Sequence, residues 1–192
     1  MAVPRSRQPE KGKPAENPAG PKLTPAAKRF VVHWGEMGTR WGVNRTVAQI
    51  HALLYVCNEP LNAEQIADTL IVARSNVSTS LRELQGWGLI KVTHMLGDRR
   101  DHFVAIKDPW DMFRVILDQR KRREIDPTID ALTACVEEAP ARSAAEREAR
   151  DRLAELLAFF ETMDSWYRDV TSMPTPKVKR FIKLGDKVRR LL

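Results

Sequence analysis

Residues 61–107 constrain this chain more than any other stretch. They read as a short helix, a tight turn, a second helix, and then two β-like runs around an Arg-Arg pair. Asn62 is a favoured helix cap, and Gln65 stands three residues on, in the capping-box position. The first helix then covers 63–70, the turn 71–74, and the second helix 75–87 with Ser75 as its cap. Ala67 supplies the small side chain that two closely crossing helices require. Gly88 leads out of the helix into strands over 89–94 and 102–106, with 96–101 as the hairpin tip. That order is a helix-turn-helix with a wing, which holds one helix at groove height and sets cations beside it.

Drawn on a wheel, the second helix has two unlike faces. Val77, Leu81 and Leu84 share a narrow apolar arc, with Ser80 and Trp87 at its edge. Opposite stand Ser75, Ser78, Thr79 and Arg82, with Asn76 on the flank. Small hydroxyls let a helix sit deep in a groove and bond bases or phosphates. A merely solvated face more often carries Glu, Lys and Gln. Arg74 enters from the turn, and Arg99 and Arg100 are placed at the wing tip, where a minor groove attracts arginine. The competing reading pairs those arginines with Asp98 and Asp101. Both hold if one arginine faces DNA while Asp98 supports the wing.

The flanks are helical. Phe30, Val31, Trp34, Met37 and Trp41 recur at three- and four-residue steps, and Gly42 ends that helix. A second helix spans 45–56. Beyond Pro109, Trp110, Phe113, Ile116 and Leu117 form a stripe on a helix that ends at 120–123, and Asp126-Pro127 opens the next. Ser143 caps a long helix with Leu153, Leu156, Leu157, Phe160 and Met163 at helical spacing. Pro174 and Pro176 break it, and a last amphipathic helix carries Val178, Phe181, Ile182, Leu184, Val188 and Leu191. Residues 1–25, rich in Pro, Lys, Gly and Ala and without aromatics, read as a disordered basic arm. The expected organisation is an arm over 1–25, a winged domain over 26–107 and a helical region over 108–192.

Net charge is +7, unevenly distributed. Residues 1–28 carry six cations against two anions, and 177–192 seven against one, whereas 108–176 hold ten against fifteen. The basic ends suit a polyanion, and the acidic body suits protein. Cys57 and Cys135 lie far apart in apolar helical contexts and read as buried thiols, not a disulfide or zinc pair. His33, His51, His94 and His102 lack metal-ligand spacing, so no metal is expected. No phosphate loop, nucleophile elbow or paired carboxylates occur, so no catalytic residue, no cofactor and no enzymatic activity are expected. Without a membrane-length apolar run or a signal core, the expectation is a soluble cytoplasmic protein with no membrane partner.

Several motifs together resemble the MarR group of winged-helix regulators, most closely its GbsR-type branch. They are Trp41-Gly42 with Arg45, Pro60-Leu61, Ile66-Ala67-Asp68-Thr69-Leu70, Ala73-Arg74-Ser75-Asn76-Val77-Ser78, Leu81-Arg82-Glu83-Leu84, and Gly97-Asp98-Arg99-Arg100-Asp101. The resemblance covers roughly 26–125. It implies a mostly α fold with a small β wing (α+β), a winged helix-turn-helix with flanking dimerisation helices. It further implies a homodimer on double-stranded DNA, with one recognition helix per half-site of a palindromic operator. Members usually repress and are released by a small ligand. The branch is associated with choline and glycine-betaine metabolism, which makes Trp34, Trp41 and Trp110 candidates for a quaternary-ammonium effector pocket. Ordinary core and dimer packing is the competing account of those rings. Two alternatives from other classes are a nonspecific architectural DNA binder and a winged-helix protein-interaction module.

One position departs from the pattern. After Leu70 such turns commonly carry Gly, because the backbone there is left-handed. Here stands Ile71, where that conformation strains a β-branched residue by roughly 1–2 kcal/mol.

Overall fold

A computed structural model describes residues 20–140 and 142–189, with the side chains of 183 and 185–189 excepted. Most of the disordered arm expected at the N-terminus lies outside the described residues, as does Leu191 of the last apolar stripe; the side chain of Val188 is also undescribed. The chain is mostly helical, with one small antiparallel sheet. It divides into two compact units. One contains the described residues up to Arg82 together with Val92–Val104, and the other contains Glu83–Lys91 and the described residues from Ala105 on.

In the first unit, α1 (Pro25–Arg40) starts from Thr24, whose hydroxyl accepts from the Ala27 amide, with Pro25 in the first turn. The helix begins one residue earlier than the periodicity alone suggests. α2 (Arg45–Val56) is capped by Asn44 and carries the densest run of buried side chains, Val47 to Leu54 without Gln49. The two helices meet along a seam that the apolar stripe does not announce. Gly35 and Gly38 are buried, and a Cβ on Gly38 would stand 2.5 Å from the Ala48 Cβ. Close approach there needs glycine. Ile50, Leu53 and Ile66 are fully buried, each contributing about 1.5–3 kcal/mol by leaving water.

α3 (Ala63–Leu70) shows the full capping box: Asn62 accepts from the amides of Glu64 and Gln65, and Gln65 accepts from the Asn62 amide. Ile71 follows at φ 55°, ψ 50°, alone in left-handed backbone among the described non-glycine residues, and it is 91% exposed. The turn therefore keeps its left-handed geometry, and no packing of the Ile71 side chain offsets the strain.

α4 (Arg74–Trp87) begins at Arg74, not Ser75. The Val77 amide donates to the Ala73 carbonyl, so Ser75 lies inside the first turn and does not cap it. Val77, Leu81, Leu84 and Ser80 are buried, as the wheel requires. Gly88, at φ 78°, ends the helix. β1 (Leu61–Asn62), β2 (Ile90–Met95) and β3 (Asp98–Ala105) form a sheet in the order β1-β3-β2, with Leu61 opposite Phe103 and Asn62 opposite His102. The hairpin tip is only Leu96-Gly97. Asp98, Arg99, Arg100 and Asp101, expected at the tip, are the first residues of β3. A two-residue turn with Gly97 at φ 83° suffices, and the ladder continues through charged residues that are poor strand formers on their own.

In the second unit, α5 (Pro109–Arg120) ends at its basic run, and the next helix opens at Asp126-Pro127, both as expected. The chain passes through a wide π turn (Lys121–Ile125) straight into α6 (Asp126–Glu138). The cause is Pro127, whose ring would clash with the carbonyl four residues back. The Asp126 amide instead donates to the Lys121 carbonyl, which widens the helix without breaking it. Ser143 and Glu146 form the capping box of α7 (Ala144–Ser172). Pro176 does not break a helix; it lies in the first turn of α8 (Thr175–Arg189). Asp164 is buried on α7, with Oδ1 2.9 Å from Lys121 Nζ and Oδ2 2.5 Å from Arg168 Nη2; Lys121 also pairs with Asp126. Those cations hold the Asp164 carboxyl below its ordinary range, with Lys121 the larger influence. Arg114 donates to the carbonyls of Thr171 and Met173, satisfying the end of α7. Cys57 is buried as expected, but Cys135 is exposed on α6, a helix with no buried residue. No helix of the described residues is long and apolar enough to cross a membrane.

Candidate nucleic-acid interface

The capped α3 and the left-handed turn fix where α4 starts, and the buried arc of Val77 and Leu81 fixes how it is rotated. The opposite face is thereby committed to solvent: Arg74, Ser75, Asn76, Ser78, Thr79 and Arg82 are all exposed. Six of the eight residues expected to meet DNA thus stand on one helix. Four of the six are small and polar, so nothing bulky keeps the helix from a groove floor. Arg82 lies along its own helix, Nε donating to the Ser78 carbonyl at 3.4 Å and Nη2 to Thr79 Oγ1 at 3.3 Å. Such long, exposed bonds are easily exchanged for a base edge or phosphate.

The two wing arginines differ. Arg99 is exposed at the start of β3. Arg100 is drawn inward: its Nε and Nη2 fork onto Asp98 (2.9 and 2.6 Å), and its Nη1 donates to Glu64 Oε2 at 3.0 Å. Asp98 also accepts from the Arg100 amide at 3.0 Å. Bonding to the Arg100 side chain, then to its amide, pulls the Asp98 carboxyl down to about 2. Asp98 therefore braces the wing through Arg100, and Arg99 presents the exposed cation. The buried His102 backs this group, Nδ1 lying 3.0 Å from the Arg100 carbonyl oxygen and Nε2 3.5 Å from Asp98 Oδ2. His94 lies beside Asp101, at 3.8 Å.

Glu64 was not legible as part of this site. On sequence it is an acidic residue in the first turn of a capped helix, a common placement that complements the helix dipole. In the fold its Oε1 also meets Arg74 Nη1 at 2.9 Å.

The three tryptophans expected at an effector pocket are Trp34, Trp41 and Trp110. The Trp34 ring packs against Phe30 and His51 with centroids 5.3 and 6.3 Å apart. Lys179 Nζ lies 5.4 Å from the Trp110 ring centroid, while the Trp41 ring is half-exposed beyond the end of α1. Trp34 and Trp41 belong to the first unit and Trp110 to the second. No group of three or more His, Cys, Asp or Glu among the described residues is arranged to hold a metal ion.

A family model described as "MarR family" matches residues 41–101, the span from the end of α1 to the wing. The HTH-type transcriptional repressor GbsR of Bacillus subtilis (strain 168) is 21% identical over 179 residues, covering 90% of this chain and 99% of the repressor. A solved structure, "Crystal Structure of a transcriptional regulator", is 25% identical with a TM-score of 0.51, covering 76% of this chain and 99% of its own. The matched span holds α4 and the braced wing described above, and the likeness to GbsR extends beyond it at both ends. Residues 41–101, which hold the recognition helix and the wing, are thus similar to the MarR family, and the chain at large is similar to the GbsR repressor.

Proposed function

We propose that this protein is a DNA-binding transcriptional regulator, not an enzyme, and that it represses as a cytoplasmic homodimer on a palindromic operator. The observation that carries the reading is the outer face of α4. Small hydroxyls and Arg82 stand exposed along one side, directly opposite a fully buried apolar arc. Each copy would lay that face in a major groove, Arg82 reaching a base edge, while Arg74 and Arg99 neutralise phosphates alongside. The hydroxyls serve either contact.

Pairing of two copies is supported by the helical region. On α7, Leu156, Phe159, Met163 and Trp166 follow steps of three, four and three, and all are exposed. On α8, Phe181, Ile182 and Leu184 are exposed as well. A stripe of this spacing is the seam along which helices of two chains interlock. A small ligand would relieve that repression, with a quaternary ammonium as the first compound class to titrate.

Selection of duplexes from a random pool tests the function. An enriched two-fold-symmetric sequence is the expected result. Tight binding without enrichment would identify a nonspecific architectural binder, and no binding a protein-interaction module.

A further inference from the structure

We propose that Glu64 is a positioning residue for DNA recognition: one carboxylate on α3 that sets the distance between the recognition helix and the wing. The inference rests on the DNA-reading function proposed above. Glu64 Oε1 takes Arg74 at 2.9 Å, and Oε2 takes Arg100 at 3.0 Å. Arg74 is the first residue of α4, and Arg100 stands on β3, just past the wing turn. The two DNA-facing elements are therefore joined through a residue that belongs to neither.

The link is built to be stiff on one side. Glu64 is fixed at its backbone by the Asn62 cap (3.1 Å), and its side chain is one-third exposed. Arg100 is held twice, by Glu64 and by the fork onto Asp98, and is 30% exposed. Arg74 is 67% exposed and meets Glu64 through Nη1. A bidentate, partly buried pair keeps geometry better than an exposed one. The wing is thus tied firmly to α3, and the other oxygen of the same carboxylate draws the Arg74 guanidinium toward that fixed point.

Electrostatics alone predicts the opposite effect. An anion beside two DNA-facing cations repels phosphates and weakens binding to any duplex. A carboxylate at this place is therefore justified by register. Removing it should loosen recognition of the right sequence while leaving attraction to all sequences intact or stronger. That opposition of sign separates positioning from plain charge.

The test uses the full chain, its selected operator and an unrelated duplex of equal length, at one salt concentration. Glu64→Gln keeps the side-chain size and removes the charge. The expected result is operator affinity lowered about tenfold, the scale of one lost charge-assisted contact, with affinity for the unrelated duplex unchanged or higher. In an Arg74→Ala background most of the Glu64→Gln effect should disappear, because one arm of the link is already gone. Equal weakening on both duplexes, equal tightening on both, or a full effect in the Arg74→Ala background would overturn the proposal. A circular-dichroism melt of each variant shows whether weakening reflects lost fold. If the parent chain selects no sequence, the DNA-reading function itself fails, and Glu64 with it. If it selects one that Glu64→Gln binds equally well, Glu64 alone is wrong.

Discussion

The unit that holds α1–α3, most of the wing and the first half of α4 buries a dense apolar core, whereas helices α5, α6 and α7 of the other unit bury no apolar side chain. In the first, Val47, Ile50, Leu53, Leu54, Ile66, Val77 and Leu81 are all buried within one copy of the chain. In the second, α5 and α6 contain no buried residue, and the one buried on α7 is Asp164, a carboxylate held by Lys121 and Arg168. Phe113, Phe159, Trp166 and Phe181 are each more than half exposed. Hydrophobic burial scales with area removed from water, so a single copy gains much from the first arrangement and far less from the second. The regions differ accordingly: one buries its own core and leaves the outer face of α4 exposed, and the other has apolar surface still to cover.

The largest expected effect tests the first half of that contrast. Ile66→Ala removes a fully buried side chain and should destabilise the winged module by about 3 kcal/mol in urea unfolding followed by circular dichroism. The matching change in the second region, Phe159→Ser, should leave the melting of the winged module in place and instead shift the sedimentation equilibrium toward monomer. If Phe159→Ser unfolds the protein as Ile66→Ala does, the contrast is wrong.

A smaller effect probes the α1–α2 seam. Gly38→Ala gains helix propensity of roughly 1 kcal/mol yet places a methyl 2.5 Å from the Ala48 Cβ. Overpacking wins, with a net loss of about 1–2 kcal/mol, and Ala48→Gly in the same chain should restore part of it. Smaller still, and of opposite sign, is the turn. Ile71→Gly relieves left-handed strain on an exposed side chain and should raise stability by up to about 1 kcal/mol, offset in part by the flexibility of glycine when unfolded. A lower melting temperature would show that the left-handed strain at Ile71 is smaller than the freedom glycine adds to the unfolded chain.

The smallest effect concerns pH. Asp98 is depressed from 3.8 to about 2, so its contribution is complete above pH ~4 and fades as pH falls toward 2. Asp98→Asn should therefore flatten the acid limb of the stability curve between those values. Equal slopes for the two proteins would remove the Arg100 fork from the account of the wing.

What could be read from sequence was what is decided locally. Asn62 with Gln65 announces a helix start through contacts three residues apart, and that capping box forms; Ser143 caps its helix as expected, and the fold adds Glu146 as its partner. The faces of α4 follow from helical period alone. Ile71 stood out because one residue type conflicted with one backbone requirement. What escaped depends on partners distant in sequence. Asp98 to Asp101 have little strand propensity, and the ladder holds them in β3. Gly35 and Gly38 gain meaning only when α2 lies against α1. The wide turn over Lys121–Ile125 escaped because no local pattern marks it. Ser75 sits two residues past the cap position of α4, which is Ala73. Glu64 joins partners ten and thirty-six residues away, which no spacing rule reveals.

The most direct test of the central claim, a self-contained reading module carried by a region that pairs, is stoichiometry on DNA. Sedimentation of the full chain with a duplex bearing its selected operator should give two chains per duplex, with Phe159→Ser and Trp166→Ser together reducing occupancy to one. One chain per duplex for the unaltered protein, at concentrations that saturate the operator, would contradict it.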